Sequence, residues 1–338
     1  MKFHGKTLLL WLLLALVSPL YAGSLFEDNS PLEIEVTGPL WSLIENKKES
    51  KEWPFQIRTE TQELDFLLRA RGNSRMRVCD FPPLRFNFKN TDTSSTVFEG
   101  QEKLKLVTRC RKNESSEDDV LEEYAAYRIF GLLSDVSFRV RLVHITYKDT
   151  DDRIKEKYRT SYGFLIEPED QLASRVGGSL SEIPAVSLKK LDKHQAALIY
   201  IYQYLIGNTD WSFVASDDTE SCCHNVKLIK IGSQQFPVPF DFDLAGVVNA
   251  SYARPDQSLK IKKVWQRLYR GFCTEPDVLK TALTSITSRQ DEVLDVIAGL
   301  PALTEKEKAK QKKYLEGFFR KAADEDRILK LFEKSCHP

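Results

Sequence analysis

The chain has 338 residues, and its 49 Lys and Arg residues balance its 49 Asp and Glu residues, so the formal net charge is zero. A general nucleic-acid-binding protein would carry a basic excess, so this balance argues against a nucleic-acid partner. Hydrophobic residues make up 42% of the chain, which is typical of a globular protein with a sizeable core.

The first 22 residues are predicted to be a secretory signal peptide. Lys2 and Lys6 precede an apolar run from Leu8 to Val17, and small residues follow it, with cleavage expected after Ala22. The run is shorter than a membrane span requires, and an uncleaved anchor is the alternative. We expect an exported protein, periplasmic or extracellular, with no stable membrane span after signal cleavage.

An even number of cysteines follows the signal segment, and in an exported chain this favours disulfides. Cys79 and Cys110 belong near neighbouring predicted strands, so we expect them to pair. The second expected pair joins Cys222 or Cys223 to Cys273. A metal site at residues 222–224 is the alternative, although adjacent cysteines rarely both bind one structural zinc ion. The six cysteines are Cys79, Cys110, Cys222, Cys223, Cys273 and Cys336.

Alternating apolar and polar residues predict a β-rich N-lobe over residues 23–170. A short helix is predicted at residues 40–45, and a longer one from Val120 to Leu133. The longer helix would have Glu122 and Glu123 in its first turn, where carboxylates suit the helix dipole. The predicted strands cover residues 32–36, 55–59, 64–70, 84–89, 103–107, 138–147 and 162–166.

Residues 171–338 are predicted to form a mainly helical C-lobe. A helix that begins near Leu191 is apolar on several faces, which predicts deep burial, and Gly207 ends it. Thr304 and Glu307 have the spacing of a capping box at the start of a later helix. Strands followed by helices predict an α+β fold in two lobes. Further helices are predicted at residues 259–272, 276–297 and 305–332.

The candidate chemistry follows the buried helix. Asp210 lies in a loop, Asn225 precedes a predicted strand at residues 226–231, and Asp241-Phe242-Asp243 comes soon after. Protein kinases have the same order: a loop aspartate accepts the proton of the acceptor hydroxyl, and an asparagine and a second aspartate hold the metal ions. Each residue alone is more often a turn or capping residue, but their order favours a catalytic site.

The sequence resembles the CotH family of spore-coat-type (spore-coat protein H-like) atypical secreted protein kinases. The matching residues are Asn208-Thr209-Asp210-Trp211, His224-Asn225 and Pro239-Phe240-Asp241-Phe242-Asp243, with a looser match at Arg71-Gly72-Asn73-Ser74-Arg75. The resemblance implies a two-lobed kinase-like fold with an antiparallel β-rich N-lobe. It also implies transfer of the γ-phosphate of ATP, with Mg²⁺ or Mn²⁺, to a hydroxyl. The expected acceptor is Ser or Thr of a protein, and a sugar is the alternative.

The order of residues and the resemblance together define the expected site. Asp210 is the catalytic candidate, and Asn225, Asp241 and Asp243 are the metal-binding candidates, since carboxylate and amide oxygens suit Mg²⁺. We expect Asp210, Asn225 and Asp241 to face one cleft within about 10 Å, the reach of a metal-bound triphosphate. The nucleotide-binding candidates are Gly72, Asn73, Ser74, Arg75, Arg85, Lys105 and Glu123.

The cation that holds the phosphates has three strand candidates, Arg85, Lys89 and Lys105. CotH-type sequences carry a strand cation near Arg85, but Pro82-Pro83 departs from the basic pair expected there, so we favour Lys105. Its expected partner is a helix glutamate, as in kinases, with Glu123 preferred to its neighbour. The simpler alternative for each of these charges is a solvated surface residue.

A protein without catalytic activity is the alternative from another class. It would be a kinase-like binding or structural protein of the cell envelope. Export favours this alternative, because ATP is scarce outside the cytoplasm. The presence of Asp210, Asn225 and Asp241 together argues against it.

Overall fold

The computed structural model describes residues 25–113, 115–155, 159–214 and 222–338. The predicted signal peptide at residues 1–22 lies outside this part of the chain. Within the four described ranges, no helix is both long and apolar enough to cross a membrane. The described chain combines strands and helices, so the predicted α+β class is confirmed.

Seven strands of the N-terminal half form a closed barrel. They are β1 (Leu32–Gly38), β2 (Trp53–Arg58), β3 (Glu63–Ala70), β4 (Leu84–Asn87), β5 (Lys103–Val107), β6 (Val140–Asp149) and β7 (Thr160–Ile166). Neighbours pair in the order β1-β2-β3-β4-β5-β7-β6, and β1 closes the barrel by pairing in parallel with β6. The antiparallel N-lobe that we expected is therefore corrected to a barrel with one parallel pair. Closure leaves no strand edge open to other chains.

Apolar residues at alternate positions of the strands point into the interior of the barrel. On β4, Leu84 and Phe86 are buried, while Arg85 and Asn87 on the opposite face are half-buried. The ring of Phe86 lies 5.0 Å from that of Phe66 on β3. The period of two in β4 therefore corresponds to one face in the barrel core and one face outside it.

Helices and a small second sheet complete the described part of the chain. The sheet has the order β10-β9-β8 and contains β8 (Ser179–Leu180), β9 (Val226–Ile231) and β10 (Gln234–Pro239). The α-helices are α1 (Leu40–Glu45), α2 (Ser74–Val78), α3 (Ser115–Leu133), α4 (Glu169–Arg175), α5 (Lys193–Ile206), α6 (Pro276–Thr287), α7 (Gln290–Ala298), α8 (Glu305–Ala322) and α9 (Glu325–Ser335).

Helix α5 belongs to a second hydrophobic core, outside the barrel. Tyr202 of α5 is fully buried, and its hydroxyl donates to the carbonyl of Ala126 on α3 at 2.6 Å. Its ring lies 4.8 Å from the ring of Phe130 on α3 and 5.6 Å from that of Phe242. The predicted burial of α5 is therefore confirmed, and α3 packs with the C-terminal half although it precedes β6 in the chain.

One predicted helix is wrong. Residues 259–272 contain no helix. The buried residues there include Val264 and Tyr269, which are five positions apart, whereas side chains three or four apart share a helix face. The segment instead packs as an irregular loop.

Two long predicted helices are each divided. The helix predicted at residues 276–297 becomes α6 and α7, and the one predicted at residues 305–332 becomes α8 and α9. Asp324 explains the second break, because its side chain accepts a hydrogen bond from the N–H of Arg327 at 3.1 Å and caps α9. The predicted cap of α8 is confirmed, since the Thr304 hydroxyl accepts from the N–H three residues later at 3.2 Å.

The expected disulfide between Cys79 and Cys110 is confirmed. Their Cα atoms lie 4.6 Å apart, and the N–H of Phe81 donates to the carbonyl of Cys110 at 3.1 Å. The bond joins the segments on either side of β4 and β5, across 31 positions of the sequence. A cross-link of this loop length contributes about 2–4 kcal/mol by restricting the unfolded chain.

The second expected disulfide is wrong. Cys273 bonds Cys336, with Cα atoms 5.0 Å apart, and Cys222 bonds its neighbour Cys223. The end of α9 returns to the segment before α6, where the N–H of Cys273 donates to a backbone carbonyl near Cys336 at 2.8 Å. Because Cys222 and Cys223 are bonded to each other, they do not form the metal site that was the alternative at these residues.

Candidate active site

The loop that carries Asp210 is held from both sides. Gly207 ends α5 with a φ of +69°, a left-handed conformation that glycine adopts without strain. The side chain of the buried Asn208 accepts a hydrogen bond from the N–H of Asp210 at 2.9 Å. The guanidinium of Arg270 donates to the carbonyl of Trp211 at 3.0 Å. These bonds fix the backbone on either side of an aspartate whose side chain is 35% exposed.

The carboxylate of Asp210 contacts the two residues that precede β9. Nε2 of His224 lies 2.8 Å from Oδ1 of Asp210. Nδ2 of Asn225 donates to Oδ2 at 2.9 Å and to the backbone carbonyl of Asp210 at 2.8 Å. Asn225 has a φ of +51°, a left-handed conformation that asparagine tolerates better than most residues. Both oxygens of Asp210 therefore have partners, and the carboxylate has a defined orientation.

Asp241 lies just after β10, near enough to Asp210 for their charges to interact. Its φ is +61°, and its N–H donates to the hydroxyl of Tyr127 on α3 at 2.8 Å. Phe242 is fully buried, whereas the side chain of Asp241 is 46% exposed. Desolvation and the neighbouring Asp243 raise the pKa of Asp241 to about 6, and Asp210 adds to the rise. We call Asp210, Asn225 and Asp241 the acidic site.

A buried arginine connects the acidic site to α3. Arg75 lies on α2 and is 7% exposed. Its Nη2 lies 2.6 Å from Oε2 of Glu123 and 3.5 Å from Oδ1 of Asp241. Its Nε lies 2.8 Å from Oδ2 of Asp243. Although burial opposes the charge, the carboxylates of Asp243 and Glu123 raise the pKa of Arg75 well above its ordinary value. We call Arg75, Glu123 and Asp243 the arginine junction.

Asp243 is buried within this junction. Its Oδ2 accepts hydrogen bonds from Arg75 and from the hydroxyl of Tyr252, the latter at 3.0 Å. Although Asp241 has a positive φ, both aspartates reach Arg75. A metal-binding role for Asp243 stays a prediction. Among the described residues, no group of three His, Cys, Asp or Glu side chains could hold a metal ion.

Residues 71–75, the segment of the looser match, comprise a short connection after β3 and the first two residues of α2. Gly72 has a φ of +96°, and a Cβ atom there would meet nothing within 4 Å. Ser74 and Arg75 then begin α2, which directs Arg75 inward to carboxylates of the protein. Gly72, Asn73 and Ser74 are exposed, and their contacts with a nucleotide stay a prediction, as does that of Arg75.

Lys105 does not pair with the helix glutamate that we expected. Its Nζ lies 2.5 Å from Oε1 of Glu169, the first residue of α4. Glu123 pairs with Arg75 instead, because α2 reaches the buried face of α3 whereas Lys105 projects from the outer face of β5. Arg85 lies beside Lys105 on the adjacent strand. The roles of Arg85 and Lys105 in nucleotide binding stay predictions.

Glu122 and Glu123 of α3 contact different partners. The helix begins at Ser115, so Glu122 and Glu123 lie in its second turn and beyond, not in the first turn as predicted. Glu122 accepts a hydrogen bond from Gln311 on α8, whereas Glu123 contacts Arg75. The preference for Glu123 as the ion-paired glutamate thus agrees with the geometry, although its partner differs.

Several residues that contact the site were not singled out from the sequence. Tyr127 follows Glu123 by four positions, so helix periodicity could have placed both on one face of α3. Arg71 lies near Asp241 and interacts with its charge, and it belongs to the loosely matching segment. Arg270 lies 59 positions from Trp211, and Tyr252 lies nine positions from Asp243 in a segment without helix or strand, so no periodic pattern indicates either contact.

Two carboxyl groups of α3, Asp119 and Glu122, make the stability of the protein depend on pH. Burial and the neighbouring Asp118 raise the pKa of Asp119 to about 7, and burial raises the pKa of Glu122 well above its ordinary value. The folded protein therefore keeps protons that the unfolded chain releases, so the free energy of unfolding falls as the pH rises from about 4 to about 7.

We expect Asp119→Asn to raise the free energy of unfolding near pH 8 by up to about 4 kcal/mol, and to leave it unchanged near pH 4, because the pKa shift from 3.8 to about 7 spans about three units of about 1.4 kcal/mol each. Urea titrations at both pH values measure this. Asp295→Asn, at an exposed position of α7, is the matched control and should change neither value. An equal effect of Asp119→Asn at both pH values would contradict the titration of this group.

Taken together, these contacts define a site in which an aspartate–asparagine pair and a second aspartate adjoin a buried arginine.

No protein-family profile matches the sequence, and no curated protein matches it. Among solved structures, the chain is similar to the crystal structure of a Helicobacter pylori proinflammatory kinase, CtkA. The identity is 13% and the TM-score 0.40, over 75% of this chain and 90% of that chain. The similarity is weak, and we infer neither fold nor activity from it.

Proposed function

We propose that this chain is an exported, kinase-like enzyme that transfers the γ-phosphate of ATP to a hydroxyl group, with Ser or Thr of a protein as the acceptor. The observation that carries the proposal is the contact of Asp210 with Asn225, at 2.9 Å, near the carboxylate of Asp241. In kinases the corresponding residues accept the acceptor proton and bind the metal ions. A sugar hydroxyl is the alternative acceptor.

The donors at the acidic site fit a hard divalent cation, Mg²⁺ or Mn²⁺. Nδ2 of Asn225 is bonded to Asp210, so the amide oxygen is the atom left to act as a ligand. Asp241 supplies a half-exposed carboxylate, and Asp243 is the second candidate carboxylate. Mg²⁺ binds few protein oxygens and keeps positions for water or phosphate. When bound, such a cation neutralises phosphate charge during transfer.

Asp210 is the residue that we propose accepts the proton of the acceptor hydroxyl. His224 and Asn225 each contact one oxygen of its carboxylate, at 2.8 Å and 2.9 Å, so the carboxylate cannot rotate freely. Orientation of this kind removes an entropic cost from the transfer step. Arg270 and Asn208 hold the loop backbone beneath it. The proposed reaction therefore depends on a loop whose position is set before the acceptor arrives.

A kinase-like protein without catalytic activity remains the second candidate function. The observation that favours it is the ion pair of Lys105 with Glu169 at 2.5 Å. A kinase needs a strand cation that contacts the nucleotide phosphates. Lys105, the residue that we favoured for this role, is instead paired with Glu169. The acidic site would then serve a binding or structural role in the cell envelope.

Incubation of the purified, processed protein with ATP and Mn²⁺ distinguishes the two functions. We expect mass spectrometry to detect a phosphoryl group on the protein itself, and calorimetry to detect nucleotide binding. The protein with Asp210→Asn, treated identically, should remain unmodified. Binding without any transfer, to this chain or to added Ser- and Thr-containing peptides, would favour the non-catalytic function. Absence of nucleotide binding would overturn the proposal.

A further inference from the structure

An irregular segment between Tyr252 and Arg270 is attached to the candidate active site at both ends. At one end, the hydroxyl of Tyr252 donates to Asp243 at 3.0 Å. At the other end, the guanidinium of Arg270 donates to the carbonyls of Thr209 and Trp211, which flank Asp210. Both ends of the segment are therefore held at the candidate active site. We call residues 252–270 the flanking loop.

The flanking loop also packs directly on the chain that follows Asp243. A Cβ atom added to Gly246 would lie 3.0 Å from both the carbonyl oxygen of Val264 and the Cα atom of Trp265. Only glycine leaves room for this approach. The backbone at Trp265 is further held by the hydroxyl of Tyr314 on α8, which donates to its carbonyl at 3.1 Å. The loop thus has a fixed position without a helix or a strand.

The exposed side chains of the flanking loop are strongly basic, in a protein whose net charge is zero. Its inward-facing arginines bind backbone carbonyls, as Arg267 does with Leu205 at 3.0 Å. Asp256 is the one acidic residue in its sequence, and its carboxylate accepts from Ser258 at 2.7 Å. The exposed cations are Arg254, Lys260, Lys262 and Lys263.

An exposed tryptophan lies next to these cations. The residue Trp265 is 52% exposed, and among the large apolar residues in the described part of the chain only Val214 is more exposed. Tryptophan is enriched among the residues that dominate protein-binding energies, and complementary charges favour and steer a charged partner. The ring is available to a partner, while the backbone that carries it is already bound to α8.

We propose that the flanking loop binds the acceptor, and that the acceptor is an acidic polypeptide segment in which the modified hydroxyl is flanked by Asp and Glu. The exposed cations would meet the carboxylates of the acceptor, and Trp265 would pack against an apolar side chain within it. The position of the loop, bonded to both Asp243 and the backbone around Asp210, would bring the hydroxyl to the site. This inference names the acceptor class of the proposed phosphotransferase and rests on that function.

Binding of fluorescent peptides, measured by anisotropy without ATP, tests the loop separately from catalysis. The peptides are a Ser flanked by Asp and Glu, the same Ser flanked by Lys and Arg, and a single-stranded oligonucleotide. The test variant is Lys260→Glu, Lys262→Glu and Lys263→Glu combined. The matched control reverses three exposed lysines of α8 and α9, Lys306, Lys330 and Lys334, with the same change in net charge.

We expect the acidic peptide to bind at least tenfold more tightly than the basic one, and the test variant to lose roughly tenfold or more in affinity while the control variant stays near wild type. Affinity should also fall as salt rises from about 0.1 M to 1 M, because the screening length shortens from about 10 Å to 3 Å. Trp265→Ala should weaken binding without changing the salt dependence.

Equal binding of the acidic and basic peptides, or equal losses in the test and control variants, would overturn the inference. Equal or tighter binding of the oligonucleotide would also overturn it, since the loop would then be a general polyanion surface. If the acidic peptide binds as expected but is never phosphorylated, the docking surface stands and the proposed catalytic function fails. If the protein modifies itself but binds neither peptide, the catalytic function stands and this inference fails.

Discussion

Asp210→Asn is expected to lower phosphoryl transfer about 10²- to 10⁴-fold, the usual contribution of a positioned acid or base. The substitution keeps the shape of the side chain but removes the charge that accepts the proton. Nucleotide binding should remain within about threefold of wild type, because the loss falls on the transition state. Transfer is measured from ATP and Mn²⁺, and binding by calorimetric titration of the same preparation.

Asp241→Asn is expected to behave differently in the same titration. Because Asp241 is proposed to hold the divalent cation on the phosphates, its loss should weaken ATP–Mn²⁺ binding by roughly tenfold or more as well as abolish transfer. Asp295→Asn, on the exposed face of α7, is the control for removal of a carboxylate elsewhere. Equal loss of binding in both site variants would refute the division of roles. Full activity in either would refute the site.

Replacing Arg75 with Met should destabilise the protein by about 3–5 kcal/mol, the usual cost of breaking a buried ion pair by removing one partner. The reason is that Glu123 and Asp243, both buried, would lose the guanidinium that lies 2.6 Å and 2.8 Å from them. The second oxygen of Glu123 already has no hydrogen-bond partner, so the carboxylate has little other support. Urea unfolding near pH 7 measures the loss.

Arg77→Met is the matched control for this substitution, because Arg77 lies two residues away on α2 and is exposed. It should change the free energy of unfolding by less than about 0.5 kcal/mol, as surface substitutions usually do. Adding Glu123→Gln to Arg75→Met should recover part of the stability by removing one buried charge. A loss below about 1 kcal/mol for Arg75→Met, or no recovery in the double variant, would show that the junction is not a stabilising ion-pair network.

The sequence predicted many helices and strands correctly, but it predicted fewer of the side-chain contacts between distant parts of the chain. Helix α5 was predicted from its apolar faces, and Asp210 and Asn225 were predicted to lie in one site from the order of residues together with the family resemblance. Their contact at 2.9 Å agrees with that order. The catalytic and metal-binding roles assigned to these residues remain predictions, since contact alone does not reveal chemistry.

Lys105 and Cys273 illustrate where sequence reasoning failed. Lys105 was expected to meet a helix glutamate and instead pairs with Glu169, 64 positions along the chain. Cys273 was expected to bond Cys222 or Cys223 and instead bonds Cys336, at the end of α9. In both cases the sequence predicted the kind of contact correctly: Lys105 pairs with a carboxylate, and Cys273 forms a disulfide. The partner depended on which elements pack together.

By itself, the sequence determined the positions of most strands and of the buried helix, since periodicity of two or 3.6 records which side of an element is buried. It also determined the order of the acidic residues and the pairing of Cys79 with Cys110. Only the tertiary structure decided that the strands close into a barrel and that Arg75 turns inward. Arg75 lies 168 positions before Asp243, and such contacts depend on long-range packing that leaves no local pattern in the chain.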